Sequence, residues 1–192
     1  MRDLIKMVVV LFVFCSTSGV VLSYVYEATD EPREYSYIKF VQEPSMKAVL
    51  SDYDNDPIKE RIKLAVGEDE EGNPKEMVVF PAKKGGETQA IAYSAAAKGY
   101  HDLIEVMIGV NPDGTLTGIS IMTHTETPGL GARIVEPEFT DQFAGLDLDT
   151  TKLAADGGKV DTLSGATFST VGVIAAVSAA LEQFPQIKKE TF

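Results

Sequence analysis

The stretch "DTLSGATFSTVGVIAAV", residues 161–177, passes from a polar turn directly into an apolar segment. From Phe168 onward the apolar residues recur at helical spacing with many alanines among them, which predicts a helix over residues 168–184 that stops at Pro185. The sequence Ser-Gly-Ala-Thr, residues 164–167, therefore stands at the mouth of a helix. The question is why two hydroxyl residues flank the two smallest residues at the start of a helix.

Residues 164–167 have two interpretations. A helix that begins here presents unpaired backbone N–H groups and the positive end of its dipole, which together favour a phosphate. Small residues also let a phosphate approach the backbone closely. The simpler interpretation is that Ser164 or Thr167 caps the helix, as Ser and Thr often do. These residues alone leave both interpretations open.

Composition narrows the possible functions. The chain has 192 residues, enough for one globular domain and an extra segment. Its formal net charge of −12 argues against a nucleic-acid partner, because phosphate backbones bind to basic faces. With Cys15, His101 and His124 as its only thiol and imidazole groups, the chain is not expected to build a metal or iron–sulfur site.

The N-terminal residues 4–26 are apolar enough and long enough to cross a bilayer as a helix. Arg2 and Lys6 lie at the start of this segment and Glu27 follows its end, so the positive-inside bias puts the N-terminus in the cytoplasm. A cleaved signal peptide and a lipid anchor at Cys15 are the alternatives. The predicted organisation is a cytoplasmic N-terminus (1–6), a transmembrane helix (7–26), a juxtamembrane connector (27–40) and an extracytoplasmic domain (41–192).

The clearest strand signals lie in the middle of the chain. Two β-rich runs, residues 103–110 and 116–124, are joined by the turn residues Asn-Pro-Asp-Gly at 111–114. This pattern predicts an antiparallel hairpin. The stretch "THTETPGLGARI" comes directly after the hairpin.

Other segments give weaker signals for strands. Residues 68–76 predict an exposed acidic turn, and residues 77–84 after it predict a strand that ends near Pro81. Residues 91–98 fit a strand or a helix equally well, because their periodicity does not decide between the two.

Helical signals flank the strands. Residues 41–66 predict short helical pieces around a polar turn, and residues 136–143 predict a short helix with Phe139 and Phe143 on one face. Pro32 is expected to break the connector. The fold class is therefore α+β: one N-terminal transmembrane helix followed by a single domain with an antiparallel sheet and flanking helices.

Three stretches together carry a resemblance to a known family. Residues 161–167 match the pattern D-x-x-[ST]-G-A-T of flavinylated proteins, and residues 99–122 ("GYHDLIEVMIGVNPDGTLTGISIM") and 124–134 ("HTETPGLGARI") resemble other parts of the same proteins. In this order the chain resembles the G subunits of the Rnf complex, a membrane-bound ferredoxin:NAD oxidoreductase that pumps sodium ions or protons. It is also similar to the C subunits of the sodium-translocating NADH:quinone oxidoreductase.

The resemblance implies a flavin site at the start of the last helix. FMN would be linked through its phosphate to the Thr167 hydroxyl, with Ser164, Gly165 and Ala166 as the phosphate turn. In this family a separate, magnesium-dependent flavin transferase makes the linkage from FAD, and Asp161 then belongs to its recognition sequence. Thr167 is thus expected to be a modification site, and the chain to have no catalytic residue of its own.

The loop after the hairpin is expected to line the flavin. Pro128 and two glycines fix a tight loop whose backbone can approach a planar ring. An alternative for Glu126 is a loop carboxylate that binds nearby backbone amides. His124 is expected to be a strand-end histidine with a satisfied hydrogen bond, and Lys159 either reaches the phosphate or is exposed. The residues assigned to the flavin loop are Glu126, Thr127, Gly129, Leu130 and Gly131.

The resemblance implies an electron-carrier subunit, in which the protein positions the flavin and controls its access to water. Implied partners are the membrane and iron–sulfur subunits of an Rnf complex, a second flavinylated membrane subunit, the flavin transferase and the bilayer. A stand-alone flavinylated protein is an alternative. A hydrolase using Ser164 or Thr167 with His124 is another, but the sequence lacks the G-x-S-x-G motif.

Overall fold

The structure is a computed structural model that describes residues 2–68 and 74–192. The chain divides into two compact units, Met1–Phe40 and Val41–Phe192. The centre of the acidic turn predicted for residues 68–76 lies outside the described residues.

The first unit is helical. Helix α1 (Arg2–Ala28) is exposed along its described length and is long and apolar enough to cross a membrane. Helix α2 (Asp30–Tyr37) follows after one residue. Pro32 lies in the first turn of α2, where the missing N–H of proline leaves no helical bond unmade. The helix breaks at Thr29, three residues before Pro32, as the sequence predicts near this proline, although most of the connector is helical.

The second unit is built on a five-stranded sheet in which each strand pairs antiparallel with the next in the chain. The fold is α+β, as the sequence predicts. The predicted hairpin forms β4 and β5, and the ambiguous residues 91–98 belong to β3. The strands are β1 (Ile62–Glu68), β2 (Pro74–Lys84), β3 (Glu87–Lys98), β4 (Leu103–Val110) and β5 (Leu116–Thr123).

Both faces of the sheet are covered. A short helix, α3 (Glu43–Val49), packs on one face, where Met46 is buried with Phe80 and Met107. A long helix, α5 (Thr167–Thr191), packs on the other, where Tyr93 is buried and donates a hydrogen bond to the carbonyl of Ala180 at 3.0 Å. Burial on both faces explains why β4 reads as a nearly continuous apolar run.

Two predicted strand and helix boundaries in the sheet region are wrong. The predicted short helices over residues 41–66 include α3, but Ile62–Glu68 form β1, because these residues pair with β2. The strand predicted to end near Pro81 continues to Lys84. Pairing with β1 stops at Val79, so Pro81 has a partner strand on one side only and its missing N–H breaks no ladder bond there.

The predicted stop at Pro185 is also wrong, since α5 continues to Thr191 with Pro185 inside it. Pro185 is exposed, whereas Phe184 before it and Ile187 after it are buried in the core. Packing on both sides of the proline therefore keeps the chain helical, although proline costs a hydrogen bond inside a helix.

The predicted short helix over residues 136–143 is confirmed as α4 (Pro137–Thr140) followed by a 3₁₀ turn, Asp141–Phe143. Its two phenylalanines are fully buried, and their rings meet edge to face at 5.4 Å. Phe139 and Phe143 thereby attach this segment to the core beside α5 and leave the loop that precedes it at the surface.

Candidate functional site

A cavity of about 320 Å³ lies at the start of α5. Three separate parts of the chain line it: the turn between β3 and β4, the loop after β5, and the first turn of α5. This volume is at the lower end of the range of small-ligand sites. The lining residues are Tyr100 from the turn, Glu126, Thr127, Leu130 and Gly131 from the loop, and Gly165, Ala166, Thr167, Phe168 and Ser169 from the helix start.

The start of α5 has no side-chain cap. Ala166 occupies the position before the first helical residue, with φ −135°. Gly165 precedes it at φ +79°, a conformation that favours glycine. The Thr170 hydroxyl closes this turn from within, because it donates to the Ala166 carbonyl at 3.1 Å and accepts the Leu163 N–H at 3.2 Å.

The simple capping interpretation of Ser164 or Thr167 is therefore wrong. The first-turn N–H groups of α5 donate to no side chain at the cap position, and such groups are free to bind an anion. Thr167 itself is the first residue of α5, is exposed, and lines the cavity. Thr167 is thus accessible to solvent beside the cavity.

Aromatic and apolar side chains form the outer edge of the cavity. Phe168 and Tyr100 are 70% and 61% exposed, and their ring centroids lie 6.0 Å apart. Leu130, on the loop after β5, is also exposed. Large apolar side chains that stay this exposed beside a cavity are typical of a surface that contacts a ligand or a partner.

Glu126 is the buried carboxylate of the site, with 4% of its surface exposed. Its Oε1 accepts the backbone N–H groups of Tyr100 at 2.9 Å and His101 at 3.3 Å. Its Oε2 accepts a short hydrogen bond from the Ser169 hydroxyl. Glu126 therefore binds backbone amides, as its alternative interpretation predicts, and it also lines the cavity and joins the three segments around it.

Glycines make room for this carboxylate. A Cβ on Gly99 would lie 2.5 Å from Oε1 of Glu126, and a Cβ on Gly131 would lie 2.5 Å from Oγ of Ser169 and 2.8 Å from Oε2 of Glu126. Neither position has space for a larger residue without displacement of the Glu126–Ser169 pair. Gly129 serves the loop in another way, since its φ of +74° lies in the left-handed region.

Four other residues that the sequence analysis considers for the site do not line the cavity. Ser164 and Gly129 lie beside it and are exposed. Asp161 is exposed as well, and its backbone N–H donates to Oε1 of Gln142 at 2.7 Å. Lys159 is exposed outside the lining, which agrees with its simpler interpretation. The predicted turn and loop thus meet in space, with some of their members at the margin.

His124 forms the satisfied hydrogen bond predicted for it. Its Nδ1 accepts the backbone N–H of Glu126 at 3.2 Å and so helps to shape the loop after β5. This contact occupies Nδ1 with a local structural bond, and His124 is absent from the cavity lining around Thr167. The arrangement gives no support to a hydrolase built on Thr167 and His124.

Three lining residues are not predicted by the sequence: Tyr100, Phe168 and Ser169. Ser169 follows Thr167 by two positions, but its partner Glu126 is 43 residues earlier in the chain, so only the fold reveals the pair. Tyr100 and Phe168 are also distant in sequence and meet at the cavity edge. The aromatic residue Phe168, directly after the S-G-A-T turn, is the one local signal that could have indicated this edge of the cavity.

Comparison with known proteins identifies the family of the chain. The model of the FMN-binding domain matches residues 99–182, which include the cavity lining. The chain is 30% identical to the G subunit of the ion-translocating oxidoreductase complex of Methanosarcina acetivorans over 183 residues, which are 94% of each chain. The chain belongs to the family of G subunits of ion-translocating oxidoreductase complexes.

Another member of this family has a name that specifies its reaction in more detail. The G subunit of the proton-translocating ferredoxin:NAD(+) oxidoreductase complex of Clostridium ljungdahlii is 28% identical over 176 residues, which cover 90% of this chain and 87% of that one. These relatives are parts of oxidoreductase complexes, and this chain is a redox-related subunit of that type with an FMN-binding domain.

Solved structures share the fold. NqrC of Shewanella oneidensis matches with a TM-score of 0.54 and 23% identity over 74% of this chain and 77% of that one. The C subunit of the Na(+)-translocating NADH-quinone reductase of Parabacteroides distasonis matches with a TM-score of 0.51 and 23% identity over 72% and 71%. At 23% identity, the similarity to these two structures shows a shared fold and nothing beyond it.

Proposed function

We propose that the chain is the electron-carrier subunit of an ion-pumping, Rnf-type ferredoxin:NAD oxidoreductase, with FMN joined covalently to Thr167 by a phosphoester. The observation that carries the proposal is the exposed Thr167 hydroxyl at the mouth of a cavity, on a helix start without a side-chain cap. A bound FMN supplies the electron chemistry, and the protein supplies position, electrostatics and control of water.

The residues present fit a flavin phosphate. The uncapped first turn of α5 offers backbone N–H groups and the positive end of a 25-residue helix to an anion. Gly165, in its left-handed conformation, puts no side chain in the way. An acidic chain can therefore hold a phosphate at this place without a cluster of lysines or arginines.

The other lining residues fit a planar, largely apolar ring. We infer that Tyr100, Leu130 and Phe168 cover the ring, because their exposed side chains surround the cavity. Thr127 and Glu126 line the same cavity and would be the polar partners on its loop side. Asp161 and Ser164, exposed before the helix start, are accessible to a flavin transferase that must read this turn from outside.

We propose that α1 anchors the chain in the plasma membrane as a single span. The basic residues Arg2 and Lys6 would keep residues 1–6 in the cytoplasm, residues 7–26 would cross the bilayer, residues 27–40 would connect, and residues 41–192 would lie outside. Helix α5 passes the same test of length and apolarity, but half of that stretch is buried in the domain, which is typical of a core helix. An anchor raises the local concentration of the carrier beside the other subunits of the complex.

Thr167→Ala tests the attachment directly, with Ser164→Ala as the matched control that removes a hydroxyl from the same exposed turn. Both full-length variants are expressed with a flavin transferase, and flavin fluorescence of the denatured protein is measured. Thr167→Ala is expected to lose all covalent flavin while it remains folded, and Ser164→Ala is expected to keep it. Covalent flavin on Thr167→Ala would show that another residue carries the bond.

Membrane topology has its own test. After Cys15→Ser, a single cysteine is introduced at residue 3 or at residue 192, and intact cells are treated with a thiol reagent that cannot cross membranes. Labelling at residue 192 and none at residue 3 is expected. The reverse pattern would contradict the proposed orientation.

A further inference from the structure

Among the described residues that line the cavity, Glu126 is the one with a charged side chain. It is almost fully buried, and its hydrogen-bond partners are two backbone N–H groups and the Ser169 hydroxyl. These partners are neutral, so they orient the carboxylate without cancelling its charge. A buried charge is also screened less by salt than an exposed one.

We propose that the Glu126 carboxylate sets the redox potential of the flavin by holding a negative charge against the cavity. The proposal rests on the proposed function, in which the flavin is attached at Thr167. An electron that no proton accompanies adds one negative charge to the bound group. A carboxylate at short range opposes that addition and so lowers the potential at which the flavin accepts its first electron.

The hydrogen bonds fix how close this charge lies to the attachment residue. Ser169 is two residues after Thr167 in the first turn of α5, and its hydroxyl donates to Oε2 of Glu126. Any group joined to Thr167 therefore starts within one helical turn of the carboxylate. The N–H groups of Tyr100 and His101 hold the other oxygen, so the carboxylate cannot turn away to solvent.

The start of α5 acts in the opposite direction. Its positive dipole end favours negative charge on a ligand, whereas Glu126 disfavours it. We infer that the two together let the site hold a phosphate tightly and still keep the electron affinity of the ring low. Ser169 is a positioning residue in this scheme, because it orients Glu126 and carries no charge.

Glu126→Gln removes the charge and keeps the shape. The glutamine oxygen can accept the two backbone N–H groups, and the Ser169 hydroxyl can rotate to accept from the amide nitrogen. The matched control is Glu182→Gln, the same change at an exposed position on α5. Glu182 is fifteen residues after Thr167, roughly 22 Å along the axis, where solvent and salt screen its charge.

The measurement is the midpoint potential of the first one-electron reduction, in flavinylated full-length chains titrated under identical conditions. Glu126→Gln is expected to raise the affinity for the first electron at least tenfold, a positive shift of about 59 mV or more. Ser169→Ala is expected to shift the potential less, and Glu182→Gln is expected to leave it unchanged. An unchanged potential in Glu126→Gln would overturn the proposal.

A second variant covers the case in which Glu126→Gln carries no flavin. The double variant Glu126→Gln/Ser169→Ala removes the charge together with the hydroxyl that binds it, and the same raised potential is expected. If neither variant accepts flavin although both fold, Glu126 acts in attachment and its role in the potential is overturned. Absence of flavin from the wild-type chain would instead contradict the proposed function itself.

Discussion

The two ends of α5 differ in burial: the N-terminal end lines the cavity, and the C-terminal end packs in the core. At its N-terminal end Thr167 and Phe168 are exposed, and the first turn lacks a side-chain cap. At its C-terminal end Phe184 and Ile187 are buried against the sheet. The difference shows that packing of the C-terminal end can fix the helix in place. Large side chains at the N-terminal end, such as Phe168, can then stay exposed beside the cavity.

Gly172 lies between these two ends. A Cβ there would come within 2.9 Å of both the Gly99 Cα and the Lys98 carbonyl oxygen. The helix thus approaches the end of β3 backbone to backbone. This close contact brings the first turn of α5 beside the turn that contains Tyr100 and next to Glu126. The cavity therefore depends on the absence of a side chain at Gly172.

The same substitution at both ends should give the largest contrast in stability. Phe184→Ala is expected to lower the free energy of unfolding by about 3–5 kcal/mol, because it opens a cavity in the core. Phe168→Ala removes a 70% exposed ring and is expected to change it by less than about 0.5 kcal/mol. Urea unfolding of the full-length variants in detergent measures both. Equal losses from the two variants would mean that the ends of α5 do not differ as described.

Gly172→Ala should give a smaller loss. The added methyl meets backbone atoms, which costs about 1–3 kcal/mol, and a gain in helix propensity of about 1 kcal/mol offsets part of this cost. Gly118→Ala is the control, since a Cβ at Gly118 has no atom within 4 Å. The same unfolding assay applies, and a stabilised Gly172→Ala variant would contradict the close backbone contact.

Tyr93→Phe should lower the free energy of unfolding at neutral pH by about 0.5–1.5 kcal/mol, because one buried hydrogen bond to Ala180 is lost. Burial raises the pKa of the Tyr93 hydroxyl. The folded protein therefore favours the neutral phenol, and this contribution is complete below the ordinary tyrosine pKa of about 10 and is lost as the pH rises above it.

Unfolding measured from pH 8 to pH 11 tests this sign. Wild-type stability is expected to fall more steeply above about pH 10 than that of Tyr93→Phe, which has no hydroxyl to ionise at this position. Parallel pH profiles for the two proteins would show that the buried Tyr93 hydroxyl does not contribute to the loss.

Local signals predicted the parts of the molecule that depend on nearby residues. The hairpin of β4 and β5 follows from two apolar runs around Asn-Pro-Asp-Gly, and the start of α5 follows from the S-G-A-T turn ahead of an apolar segment. These features need no knowledge of the rest of the fold.

The remaining features depend on contacts between distant residues. Pro185 stays helical because the core holds Phe184 and Ile187 on either side of it, and β1 is a strand because β2 pairs with it. The bond between Glu126 and Ser169 joins two segments that are separate in sequence. Local propensity contains no information about such partners, so these features could be known only from the structure.

Intact-mass and peptide mass spectrometry of the chain from its native membrane tests the proposed attachment most directly. The predicted result is a mass gain of one FMN less one water on the peptide that contains Thr167, with flavin fluorescence on the denatured protein band. An unmodified Thr167 peptide, from cells that flavinylate other proteins, would contradict a tethered electron carrier. It would leave the uncapped start of α5 and its cavity without the ligand proposed for them.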